Sequence, residues 1–400
     1  MESSTGFSAP IGAVHANGGA VLVAGLVPSR SVVSLTRLEA TGTTAWAKDV
    51  LSGVSWAPHA STTVFAAPDG SSYVLWVGIR GGKTVHEIVS VDATGQTRGD
   101  LAEEASPNAC ATDEGVAWVA QDDKGSRRVQ FRGWRDAKSR VLFGLRGEGD
   151  PLFACGTHRV FPFEEGEGVI TLLGGSVQTD AGEEAKPVTL LSAATSRGDL
   201  HDHVEYTFGD DFGVVYPESS GTIAFRELRG ENLGPWLRLA RRLGDDASLV
   251  AADADATTLH VLVTRDSGET CPDGTGKTKL TSLRSLRAGG GDAEITLALL
   301  PCGGEGGPFW TGFVNGAFVV GWTERATSRK DTGAAPIVGL AYVTVDGEKP
   351  SEVRRIAAPG DALVEAGCDK AGCYAVALTR PAGTDGMAAG VARVLKYPEP

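Results

Sequence analysis

The densest grouping of metal-ligand residue types in this chain of 400 residues is His201-Asp202-His203-Val204-Glu205. On an extended strand His201, His203 and Glu205 share one face, at the two-residue spacing that a zinc or copper ion accepts. No fourth ligand follows in sequence. A polar strand of this kind also solvates the outer edge of a sheet, so the expectation is an outermost strand. Asp273-Gly274-Thr275-Gly276-Lys277-Thr278 imitates a phosphate loop. Its pattern needs glycine where Cys271 stands and a helix afterwards, whereas Leu280-Thr281-Ser282-Leu283-Arg284-Ser285-Leu286 reads as a strand. Arg197-Gly198-Asp199 is a three-residue coincidence, and no Gly-x-Ser-x-Gly elbow occurs.

The six cysteines are more specific. Cys368 and Cys373 face each other across a short hairpin, where a directly opposed, non-hydrogen-bonded pair meets disulfide geometry. Cys271 sits in the loop between the second and third strands of one sheet, and Cys302 in the loop leading out of that sheet. Those two loop types project from the same side, so these thiols are expected to pair. Cys110 and Cys155 close equivalent strands in neighbouring sheets, either bridged or as buried thiols. Three couples among six cysteines point to an oxidising compartment, because cytosolic thiols are kept reduced; the alternative is six core cysteines.

What must position these residues is a recurring strand-turn-strand phrase. Val32-Val33-Ser34-Leu35-Thr36-Arg37-Leu38-Glu39-Ala40-Thr41-Gly42-Thr43-Thr44-Ala45-Trp46 is repeated in register as Val85-His86-Glu87-Ile88-Val89-Ser90-Val91-Asp92-Ala93-Thr94-Gly95-Gln96-Thr97. One small sheet cannot bury both faces and must stack on its neighbours, so a repeat of about this period means a solenoid, propeller or array. Strand runs alternate with turn signals throughout, and even Pro235 to Leu243, the one stretch with helical character, alternates as a strand. Naming strands A to D from the centre outward, unit starts fall near residues 12, 59, 106, 150, 210, 245, 307 and 361. The reading is therefore an all-β, single-domain β-propeller over residues 1–400. It has eight four-stranded antiparallel blades, or seven if the short fifth unit merges with the fourth, and an N-terminal strand completes the last blade.

The turn from Thr41 to Trp46, preceded by alternating apolar residues and Glu39-Ala40, resembles the C–D hairpin of PQQ-like and related secreted bacterial propeller repeats. That resemblance implies the fold. It carries no quinone site, since there is no vicinal cysteine pair and no cofactor platform motif.

Loop length supplies the remaining signal. Gly174 to Lys186, Arg265 to Lys277, Glu324 to Ala335 and Arg380 to Ala389 all follow a B strand and so crowd one face, together with D–A loops carrying Glu103, Glu104, Glu148, Asp150, Asp245, Asp246, Glu305 and Asp361. Ligand contacts concentrate on loops held by a rigid scaffold. Asp150, Asp246 and Asp361 stand at equivalent blade positions, and with Glu305 and Trp310 they form the candidate ligand-binding set. Calcium is the one cofactor these acids suggest.

The net charge of −13, with 26 arginines against 11 lysines, repels phosphate backbones and anionic membranes, so nucleic acid is discounted. No apolar run reaches membrane-span length. Met1 to Pro10 has neither a basic nor an apolar leader region, so a periplasmic or extracellular protein is expected to have its leader outside this sequence. The composition reads as a GC-rich bacterial genome. The function these features favour is a monomeric, non-catalytic binding scaffold for a protein or a glycan; the rival is a polysaccharide lyase or glycoside hydrolase with its chemistry at the channel mouth.

Overall fold

A computed structural model describes residues 2–16, 19–39, 43–58, 60–103, 105–121, 126–136, 138–145, 152–166, 169–172, 175–176, 188–192, 203–218, 221–230, 232–242, 247–272, 274, 276–302, 309–325, 337–360, 362–369, 372–379 and 390–396. Among the described residues the strands pair antiparallel into seven sheets, one of which runs continuously from Ala362–Asp369 through Gly390–Lys396 and Glu2–Ala16 to Thr44–Ser52 and so spans two blades. The innermost strands are Glu2–Ala16, Ser61–Ala66, Ala105–Ala111, Leu152–Cys155, Val204–Phe208, Ser248–Ala254, Phe309–Val314 and Ala362–Asp369. Each packs beside the next, and the eighth returns to the first, so the inner strands form a ring.

Closure is made by Glu2–Ala16. Its start pairs with the last strand, Gly390–Lys396, through Glu2, Gly6 and Phe7. Beyond a register irregularity between Ser8 and Ile11 it becomes the inner strand of blade one, running against Ala20–Val27. One strand thus satisfies two edges that would otherwise stay open.

The core is distributed between blades. Leu22, Leu35, Val74 and Trp76 fill the space between blades one and two, while Tyr374 and Val376 of blade eight meet Val21 and Val23 of blade one. Apolar alternation on both sheet faces follows, because each face is covered by a neighbour. The repeated phrase is the C–D hairpin of blades one and two. In the second copy the Asp92 carboxylate accepts the backbone N–H of Thr94 and of Gln96, and Gly95 takes φ 86°. A Cβ on Gly95 would stand 2.9 Å from the Trp46 ring, whose indole N–H is donated to the Ala93 carbonyl at 3.1 Å. The glycine and tryptophan of the repeat thus serve packing between adjacent hairpins. Leu237–Arg242 is a strand, as its alternation indicates, and pairs with Thr222–Arg229.

Two sequence expectations are corrected. The unit expected to start near residue 210 starts earlier, at Val204: Gly209-Asp210, a step that reads as the lead into an inner strand, is instead the A–B turn between Val204–Phe208 and Asp211–Pro217, with Gly209 at φ 57°. Glu205 therefore lies on an innermost strand rather than an outermost one, with His203 immediately before it. A Gly-Asp step suits any tight turn, and its sequence does not say which pair of strands it joins. The segment from Arg265 to Lys277 is not an irregular loop either: Thr258–Thr270 and Gly276–Leu286 continue past the sheet as a paired hairpin.

Candidate functional site

Strand parity gives the propeller two faces, one with the B–C and D–A connections and one with the A–B and C–D turns. Asp150, Asp246, Asp361 and Glu305 lie outside the described residues, as does His201, and so do most of the long B–C loops. Trp310 is 6% exposed and packs with Val319, Leu340 and Tyr342 against blade eight. A Cβ on Gly321 would collide with its ring. This corrects the ligand-binding expectation for Trp310, which is held in the inter-blade core. His203 and Glu205 do come together, with His203 Nε2 against a Glu205 carboxylate oxygen. Among the described residues no three His, Cys, Asp or Glu side chains form a metal-holding group.

On the B–C and D–A face, the blade-six hairpin outruns its neighbours. The inner strand meets it as far as Ser248 opposite Thr264, and the outer strand ends at Leu299 opposite Lys279. The residues beyond stand as a two-stranded ribbon whose tip is bonded, Cys271 to Cys302, with Cα atoms 5.6 Å apart. Cys110 and Cys155 are also bonded, joining the inner strands of blades three and four. Cys368 and Cys373 are directly opposed in the hairpin register; their side chains fall outside the described residues.

The opposite face carries two clefts that share Pro68 and Asp69 on the A–B turn of blade two. One, of about 380 Å³, lies towards blade one beside Arg37, Glu39 and Trp46. The other, of about 420 Å³, lies towards blade three between Pro68, Phe131 and Trp134. Asp69 is preorganised, since its Oδ1 accepts the Ser71 backbone N–H at 3.0 Å. The Ser71 hydroxyl, more than its other partners, holds this carboxyl below the usual aspartate range. Sequence reading missed this face because its turns are short, and length was the criterion applied to loops.

Between blades five and six lies a buried ionic knot. Glu227 accepts from Tyr206 Oη at 2.7 Å, from Arg287 Nε at 2.7 Å and from Arg229 Nε at 2.7 Å. Arg287 also reaches Asp211 at 2.7 Å and lies over the Phe208 ring. Burial alone pushes the Glu227 carboxyl up, but its three donors outweigh burial and hold it below the usual range. Burial, then the neighbouring Glu227 charge, raises the Tyr206 hydroxyl well above ordinary tyrosine. Each of these groups is satisfied by another, so the knot joins blades and presents no free acid or base.

No protein-family model matches the chain, and no curated protein matches it. Among solved structures it is similar to the β-propeller domain of the Trilobed protease from Pyrococcus furiosus, at 9% identity, covering 86% of this chain and 96% of that one, with a TM-score of 0.50. A prolyl endopeptidase is similar at 12% identity and a TM-score of 0.53, over 92% of this chain and 54% of that one. The chain is a β-propeller. It spans about half the length of that endopeptidase, and likeness at this identity reaches the fold alone. Among the described residues no helix is long and apolar enough to cross a membrane.

Proposed function

We propose that this propeller is a non-catalytic binding scaffold, exported to an oxidising compartment, that recognises a protein or a glycan through its B–C and D–A face. The supporting observation is the blade-six ribbon and its Cys271–Cys302 bond. A projecting loop normally loses conformational freedom when it binds. One that is paired at its base and near its end, as Asp266 with Thr278 and Thr270 with Gly276 are, and tied at its tip has surrendered much of that freedom beforehand, which favours recognition. In this reading Asp150, Asp246, Asp361 and Glu305 surround the mouth of the channel and add a negative potential that attracts calcium or basic groups on the partner.

The test compares the native chain with a variant in which residues 266–278 are replaced by a two-residue turn. Both are screened on a glycan array and by cross-linking to secreted proteins of the source cell. Targets held by the native chain and lost by a variant that still unfolds cooperatively above the assay temperature support the scaffold. Release of unsaturated or reducing sugar ends from polysaccharides by the native chain would assign the rival enzyme instead.

A further inference from the structure

We propose that the cleft between blades two and three recognises an arginine side chain presented by a basic segment of a protein partner. The site is distinct from the scaffold surface above, because it opens on the A–B and C–D face. Three features carry it: a fixed anion, a loosely held internal cation, and an aromatic wall already used by a guanidinium.

The anion is Asp69. With Oδ1 committed to Ser71, its Oδ2 takes Arg135 Nε at 3.2 Å. The cation is loose. The Arg135 side chain is 81% exposed, and an exposed pair of this kind contributes about 0–1 kcal/mol, so it can be displaced at little cost. Arg135 meets Asp69 through its Nε, whereas an incoming arginine approaching along the cleft can offer two parallel N–H donors, the stronger arrangement.

The second guanidinium is Arg140, whose Cζ lies 5.3 Å from the centroid of the Phe131 ring. The cleft thus displays both ways proteins hold arginine, on a carboxylate and over an aromatic face. Its charge favours one more cation, since Asp69, Asp113, Glu114 and Asp136 line it against Arg135 and Arg140. About 420 Å³ accommodates an arginine side chain with its flanking backbone. The adjoining cleft beyond Asp69, with its own Arg37–Glu39 pair at 2.9 Å, lets an extended segment continue towards blade one.

The probe is a fluorescein-labelled hexa-arginine peptide, followed by anisotropy at low and moderate salt. Asp69→Asn should weaken binding about tenfold, and Arg135→Ala should tighten it about threefold by removing the internal competitor. Charge-matched changes at exposed sites on blade seven, Asp346→Asn and Arg354→Ala, should each change affinity less than about 1.5-fold, as screened distant charges do. Tightening by Arg135→Ala at an unchanged melting temperature is a gain that loss of the fold does not explain. Equal effects of the matched pairs would show only attraction to the chain's overall charge, and equal binding of hexa-lysine would remove the guanidinium claim. Competition by a neutral oligosaccharide that itself binds would make the cleft a glycan site; each of these overturns the proposal. Retained peptide binding by the hairpin-trimmed variant separates this site from the scaffold face.

Discussion

Replacing Asp253 with Asn should stabilise the propeller at pH 7.5 and leave it unchanged near pH 4. Asp253 lies on the inner strand of blade six, directly opposite His260 on the second strand. His260 stacks on Phe318 of blade seven, with ring centroids 4.2 Å apart, and its Nδ1 is 3.0 Å from the Ser282 hydroxyl. Burial pushes the Asp253 carboxyl up to about 6, against hydrogen bonds from the Ala254 N–H and Thr311. Burial, followed by the Arg284 charge, pushes His260 down to about 4, with Asp255 opposing.

The signs of these two effects differ. A raised aspartate is neutral in both states below pH 3.8 and costs nothing there. Above pH 6 the folded protein carries the full penalty of a half-buried charge, at most about 3 kcal/mol at 1.36 kcal/mol per pH unit. The depressed His260 costs nothing above pH 6.5 and about 3 kcal/mol below pH 4. As pH falls between these limits, relief at Asp253 offsets the rising cost at His260. The native chain is therefore nearly flat with respect to this pair.

Asparagine keeps the acceptor for Ala254 and removes the charge. The difference between variant and native protein isolates Asp253, since all other titrations cancel. It should rise from near zero at pH 4 to about 2–3 kcal/mol at pH 7.5. On acidification from pH 6.5 to 4 the variant should therefore lose more stability than the native chain, by about 2–3 kcal/mol, because the charging of His260 is no longer offset at Asp253. Urea unfolding by tryptophan fluorescence at pH 4.0, 5.5 and 7.5 measures both, with unfolding rates as the readout should refolding be incomplete. A difference independent of pH, or a destabilised variant at pH 7.5, refutes the argument.

Other perturbations follow from the same geometry. Glu227→Ala leaves Arg287 buried beside an empty acceptor site and should cost about 3–5 kcal/mol by urea denaturation, as removal of one member of a buried pair does. Cys302→Ser opens a ring with a sequence separation of 31 residues, worth about 3–4 kcal/mol in the loop-entropy model; faster amide exchange confined to the blade-six hairpin is expected alongside. Gly321→Ala drives a methyl into the Trp310 ring, with a fall in melting temperature equivalent to about 1–3 kcal/mol; an unchanged melt would show that the ring can move.

The fold was legible because its signal is redundant. Every blade buries both sheet faces against neighbours, so alternation and turn chemistry repeat along the chain. Blade boundaries were less so, because Gly209-Asp210 has the same local chemistry whether it joins D to A or A to B. Trp310 was misread as ligand-facing because a tryptophan at the start of an inner strand has no sequence mark of burial. The mark is Gly321, which stands opposite it in the strand pairing and leaves room for the ring, and that relation exists only once register is known.

Asp69 was invisible for a related reason. Asp69-Gly70-Ser71 reads as an ordinary turn, and it is one: the carboxylate is tied to Ser71 as turn aspartates are. What distinguishes it is placement at the junction of two clefts, with an arginine from the C–D turn of blade three reaching across to it. Asp92 and Asp255 make the same turn contacts elsewhere, so turn chemistry alone does not choose among them. Recognition sites on a propeller arise where turns of successive blades converge. Local sequence determines each turn, while ring closure determines which turns meet, and a ligand responds to the second.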